Sequence, residues 1–226
     1  MEYNQILNKV MLRLAWLNAN ARHAIELRET FTFPAYDTSI RKIIRGTNNV
    51  RCYKVCLDAV YFEFIMTLMR MYDNYKSDDT ACFEKLIECL SADFVQNFES
   101  KTQRRVKSKI QSAIKEYLSL KDCHLVARLK TVRHKMFAHT STNFNSRQVA
   151  KYGYAEELLE RTLPMLNKLN SAIHDKVEPF DKIGKYWKGY ATEFWQIFVK
   201  KDGNGQQAGR GDREGRGNGD VGSNAT

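Results

Sequence analysis

Four things are missing from this chain, and each absence removes a class of protein. No apolar run approaches the roughly 20 residues that a membrane span requires, because Asp58, Glu63 and Arg70 interrupt the best candidate around Phe64 to Met69. No segment sustains an apolar/polar alternation of period two, which argues against strands with one buried face. The five cysteines (Cys52, Cys56, Cys82, Cys89, Cys123) are odd in number and contain no CxxC pair, so neither a disulfide framework nor a zinc site is indicated. Cys52 and Cys56 share one helix face, but two thiols make a poor metal site, and the five are expected as small core residues of a reduced compartment. The start, MEYNQILNKVMLRLAWLNANARHAIELRE, carries acids and continues into a long amphipathic pattern, unlike a cleaved signal peptide. A cytoplasmic protein with no membrane partner is the expectation.

What is present is helical periodicity over one domain-sized stretch. The 226 residues suffice for one full hydrophobic core. Ile6, Val10, Leu14, Leu17, Ala21, Ala24, Leu27 and Phe31 step by three or four and predict a long first helix. Pro34 to Asn49 predicts a connecting loop, with a short turn of helix near Ile43. Val50 to Tyr75 predicts a second long helix, the most buried element, and Phe83, Leu86, Ile87 and Leu90 a shorter third. Ser100 with Gln103 has the form of a capping box, opening a helix with the stripe Val106, Ile110, Ala113, Tyr117 and Leu120. One helix from Lys101 to Thr140 would be about 60 Å long, so a break is placed near Leu120 to Asp122, with the next helix at Cys123 to Thr140. Leu158 to Ile173 follows, with a kink or restart at Pro164, and Ile183 to Phe198 gives the last. The fold class is all-α, an antiparallel bundle of about six to seven helices over residues 1–200. In the final helix the tryptophans and tyrosines are expected in the core or a dimer interface rather than as a base-stacking platform. Residues 203–226 hold 8 of the 12 glycines and almost no apolar residue, so that segment is expected to be a disordered tail.

Net charge is +10, and between Lys101 and Lys135 eleven basic residues face only Glu116 and Asp122. That concentration makes a polyanion the first partner to consider, with nucleic acid favoured over a membrane because no lipid-inserting face accompanies it. Arg104, Arg105, Arg128, Lys130 and Lys135 are the candidate substrate-binding cations. Glu156, Glu157 and Glu160 read as a solvated helix start rather than a metal site, and no ligand set indicates a cofactor.

Within the basic stretch stands Arg133-His134-Lys135-Met136-Phe137-Ala138-His139. An arginine is a phosphate anchor and a histidine a proton carrier, and together they suffice to break RNA without a metal. Taking Leu125 as zero on a helical wheel, Leu129, Val132 and Met136 fall within about 40° of it, whereas Arg133 lies at about 80° and His139 at about 320°. The two flank a buried stripe at opposite edges, so a straight helix does not bring them together within one chain. A second subunit related by a two-fold axis would complete the site. Lys135 shares His139's face, where its charge would favour the neutral imidazole, and His134 points away from the stripe towards solvent.

Arg-x5-His with a polar residue directly after the arginine, on one of several antiparallel helices, resembles the HEPN superfamily. The form RHKMFAHT is similar to the abortive-infection (AbiU-type) branch. So is YFEFIMTLMRMYDN before CFEKLIECL, which puts Arg70 and Asp73 at that branch's Arg-x-x-Asp element. The resemblance covers residues 1 to about 200. It implies a metal-independent endoribonuclease acting as a toxin or in phage defence, a homodimer with a composite active site, and a cognate antitoxin as a further partner. It assigns His139 to activating a ribose 2′-hydroxyl, Arg133 to holding the phosphate, and His134 to the family's assisting polar position, with a 2′,3′-cyclic phosphate as product. The alternative is a HEPN-like module that binds nucleic acid or a partner protein without cleaving.

Overall fold

A computed structural model describes residues 3–45, 50–73, 81–90, 94, 100–138 and 153–200. Eight helices and no strand occur among the described residues: α1 Tyr3–Tyr36, α2 Thr38–Arg45, α3 Val50–Tyr72, α4 Phe83–Cys89, α5 Ser100–Lys121, α6 His124–Ala138, α7 Gly153–Ile173 and α8 Phe180–Lys200. The all-α class is as expected, with one helix more than the six to seven foreseen. The glycine-rich segment 203–226 lies outside the described residues, as does His139.

The first stripe packs as its spacing requires. Val10, Leu14, Leu17, Ala21, Ala24 and Phe31 are fully or almost fully buried, while Ile6 and Leu27 pack at the edge of the same core. α1 is the central strut, lying along α3, α7 and α8. It runs antiparallel to α7, since Asn18 meets Asn170 through two reciprocal side-chain hydrogen bonds of 2.8 and 2.9 Å whereas Thr32, later in α1, meets Glu156, earlier in α7. A buried amide left alone costs about 1–3 kcal/mol, so the pair places two polar residues in the core at little net cost. Arg13, also buried within the stripe, donates to the Lys85 carbonyl (3.0 Å) and so fastens α1 to α4.

The loop expected from Pro34 to Asn49 is mostly helix. Two features of the chain override the breaker. Pro34 sits in the last turn of α1, where it has no N–H to give the carbonyl of Thr30 four residues back. The indole Nε1 of Trp195 supplies that donor instead, at 2.9 Å. Asp37 then caps α2, its carboxylate accepting the backbone N–H groups of Ser39 (2.8 Å) and Ile40 (3.2 Å), and these bonds, led by that from the Ser39 hydroxyl, hold its pKa below the usual carboxylate range. Ile40 and Ile44 of α2 form a small second core with Trp195.

α3 is buried only in its second half. Val55 is 67% exposed, and the burial begins at Tyr61, because α1 and α7 converge on the C-terminal turns. α7 passes through Pro164 as one helix with no restart.

Candidate active site

The break before the motif helix falls where expected. Cys123 N–H donates to Leu120 O (3.1 Å) in a tightened last turn of α5, and Ala127 N–H to Cys123 O (3.3 Å) opens α6. Leu125, Val126, Leu129 and Val132 of α6 are buried, seated against α3 and α7. That seating sets the orientation of everything else on the helix.

Arg133 emerges at the edge of the buried stripe and turns inward. Its Nη1 forms an ion pair with Oδ2 of Asp73, the residue immediately after α3, with the two side chains only 18% and 9% exposed. Asp73 is held in place from behind. Tyr72 is buried in a cluster of three rings, stacked on Tyr117 (6.2 Å) and tilted against Phe83 (5.2 Å), and its hydroxyl meets Oγ1 of Thr162 at 2.6 Å. Thr162 spends its own hydrogen on the Leu158 carbonyl, so Tyr72 is the donor. Burial pushes the Tyr72 phenol well above its ordinary pKa, which keeps that donor protonated. α3, α6 and α7 thus meet behind one arginine.

Asp73 belongs to the Arg-x-x-Asp element of the sequence, but its contact with Arg133, 60 positions away, has no local signal. Arg70, three residues earlier, turns instead to Glu63 of its own helix at 3.0 Å. His134 is exposed, as the wheel indicates.

The basic stretch is not one stripe. Arg105 pairs with Asp175 (3.5 Å), beyond the end of α7. Along α5, Arg105 lies about 24 Å from the α5–α6 turn, whereas α6 covers only about 14 Å from His124 to Arg133. Arg104 and Arg105 therefore do not join Arg133 in one patch. Lys121 is tied to Glu84 at 2.6 Å, a bond that raises its pKa, and Lys109 is turned to the Ser171 hydroxyl and carbonyl. Arg104, Lys107, Lys115 and Arg128 stay exposed, and Lys130 half-buried, with no ion-pair partner among the described residues.

The glutamates at the start of α7 hold no metal-like arrangement. Glu156 is half-buried against Thr32 (3.3 Å), and burial raises its pKa, while Glu157 and Glu160 face solvent. No group of three potential ligands for a metal ion occurs among the described residues. Nor is any described helix long and apolar enough to cross a membrane.

A bundle of this order, with Arg133 on an amphipathic α6, is matched over residues 6–194 by the family model described as AbiU2, of HEPN type. The chain belongs to the AbiU2 family of HEPN domains. The matched span takes in all eight helices except the first residues of α1 and the last of α8, and it contains Arg133, His139 and Asp73. No curated protein and no solved structure matches the chain. As an abortive-infection HEPN domain the molecule carries Arg-x5-His at Arg133 and His139, with the arginine on α6 and paired with Asp73.

Proposed function

We propose that this HEPN domain is a metal-independent endoribonuclease, and that the anchored Arg133 is the observation that carries the reading. A guanidinium has five N–H donors in a planar fork. Asp73 engages one terminal nitrogen, which fixes the plane of the fork and leaves Nε and Nη2 for the non-bridging oxygens of a phosphate. Pre-oriented donors of this kind stabilise charge that builds in a transition state without reorganising. His139, six residues further along the sequence, is the base for the ribose 2′-hydroxyl, since an imidazole of ordinary pKa is half neutral near pH 6.5. Attack on the adjacent phosphorus breaks the bond to the 5′-oxygen, which takes a proton from water, giving a 2′,3′-cyclic phosphate and a free 5′-hydroxyl. His134, solvent-facing, assists from the polar position, and Lys135, Lys130 and Arg128 hold the flanking phosphates.

The wheel separation of Arg133 and His139 supports a homodimer in which each site draws on both subunits, and the toxic activity of such a nuclease calls for an antitoxin partner. The deciding experiment is RNA cleavage by the purified chain in EDTA. His139→Ala should abolish cleavage with an unchanged helical circular dichroism spectrum; cleavage that persists in that variant overturns the nuclease assignment and leaves a HEPN module that only binds.

A further inference from the structure

The end of the bundle remote from Arg133 carries a second surface. Between α1 and α8 lies an open groove of about 530 Å³ lined by Thr30, Trp187, Tyr190, Ala191 and Phe194, with almost no polar surface. Its size is that of a ligand pocket. The aromatic residues of α8 divide into two sets. Trp187 and Trp195 are fixed from within, their indole N–H groups donating to the hydroxyl and the carbonyl of Thr30, both at 2.9 Å. Tyr190 and Phe194 stand 48% exposed, and Tyr186 69%. What the groove offers a visitor is ring surface held on a rigid helix.

The surroundings say what the visitor is. α2 rests on α8 through Ile40 and Ile44 against Trp195, Tyr53 of α3 packs on the same indole, and Phe194 of the groove touches Trp195 ring to ring at 5.2 Å, so α2 and the start of α3 lie next to the turn of α8 that ends the groove. From Thr38 to Lys54 the sequence has five cations (Arg41, Lys42, Arg45, Arg51, Lys54) and no acid, and all five are exposed. Asp37, half-exposed at the start of α2 with its pKa lowered by its cap bonds, Asp58 on α3 and Glu193 on α8 are the acids flanking it, three against five cations. That surplus disfavours a second copy of the chain, which would bring its own five cations against these. The glycine-rich C-terminal segment, with only Ala208, Val221 and Ala225 as apolar residues, has nothing to fill the groove. Ring faces beside a row of cations suit an unpaired nucleic-acid strand, whose bases stack while its phosphates meet Lys and Arg.

We infer, in place of the core or dimer-interface role expected from the sequence for the aromatics of this helix, that the α1–α8 groove binds unpaired nucleotides of an RNA, with Tyr190 and Phe194 as stacking rings and the α2–α3 cations on the phosphates. This rests on RNA being the ligand of the nuclease reading. α3 spans the distance: Tyr53, packed on Trp195 at 5.4 Å, and Asp73 are 20 residues apart, about 30 Å along a helix. The groove therefore grips a substrate at a distance from the scissile phosphate. Only an RNA long enough to bridge the two ends profits from it.

The test uses the full chain in a His139→Ala background, so that binding is read without cleavage. Titration with a fluorescent unpaired RNA and a duplex of equal length should show the unpaired strand weakened about tenfold for each ring removed in Tyr190→Ala and Phe194→Ala, since a stacked base contributes about that factor. Both side chains are half-exposed, and circular dichroism checks the fold. Arg41→Gln with Arg45→Gln should weaken binding and flatten its salt dependence. Unchanged affinity in the ring variants overturns the inference. So does an equal loss for the duplex, or a fall in oligomeric mass by sedimentation, which would make the groove a subunit interface. If the parent protein binds no RNA, the nuclease reading falls too; if it binds RNA and only the ring variants are silent, the groove alone falls. In the cleaving wild-type background, ring removal should raise KM for a long RNA and leave a short oligonucleotide unaffected.

Discussion

Arg133 brings its charge to Asp73 rather than to open solvent, and that contact makes a further demand on the chemistry. A carboxylate on the guanidinium lowers the net charge available to a phosphate, so its use is orientation, not charge. Asp73→Asn keeps a hydrogen-bond acceptor and should retain much of the cleavage rate, whereas Asp73→Ala should lower kcat more than KM and cost about 1.5–3 kcal/mol of stability; equal losses in both variants, measured by kinetics and denaturant unfolding, would count against a positioning role. Arg133→Lys should not restore activity, because an ammonium has no planar fork. The Asn18–Asn170 pair makes a separate residue-level prediction. Asn18→Leu alone orphans a buried amide and should cost about 1–3 kcal/mol, while the double change to leucine should recover part of that loss in a thermal melt.

Among the elements, α1 and α8 are joined through a defect. Pro34 withholds a donor from Thr30, and Trp195 fills the place. In a double-mutant cycle, Trp195→Phe should destabilise wild type by about 1 kcal/mol more than it destabilises Pro34→Ala, where the restored N–H of residue 34 competes for the same carbonyl. Additive losses would mean the indole bond is independent of the proline. α2 depends on its Asp37 cap. Because Asp37 has a folded pKa below its unfolded value, it stabilises the fold above the unfolded pKa near 4, and that contribution is lost as pH falls through the folded value. The melting temperature of wild type should therefore drop more steeply than that of Asp37→Ala in this acidic range, a comparison made by melts between pH 5 and 2.5.

At the scale of the whole molecule, the composite-site proposal is tested by subunit mixing. Heterodimers of Arg133→Ala with His139→Ala should recover cleavage that neither homodimer has, since one of the two sites regains both groups; verified heterodimers without activity would assign the site to a single chain. Much of the helical layout was legible in advance. The stripe of α1, the break at Asp122, and the burial of Leu125, Leu129 and Val132 follow from spacing and helix length. Val55 did not fit, because a helix that is apolar all round does not reveal which of its turns a neighbour will cover. The loop expected after Pro34 was wrong for a similar reason: the donor that rescues Thr30 comes from residue 195.

The sequence by itself determined the all-α class, the family through its Arg-x5-His spacing, and the edge position of Arg133, because each depends on local periodicity. Three things were decided only by the tertiary structure: that Arg133 is clamped by Asp73, that Arg105 turns to Asp175 away from Arg133, and that Trp195 joins the Thr30 carbonyl of α1 to the isoleucines of α2. Each of these joins residues far apart in the chain. Their meeting depends on which helix faces pack together, and spacing along one helix does not encode that.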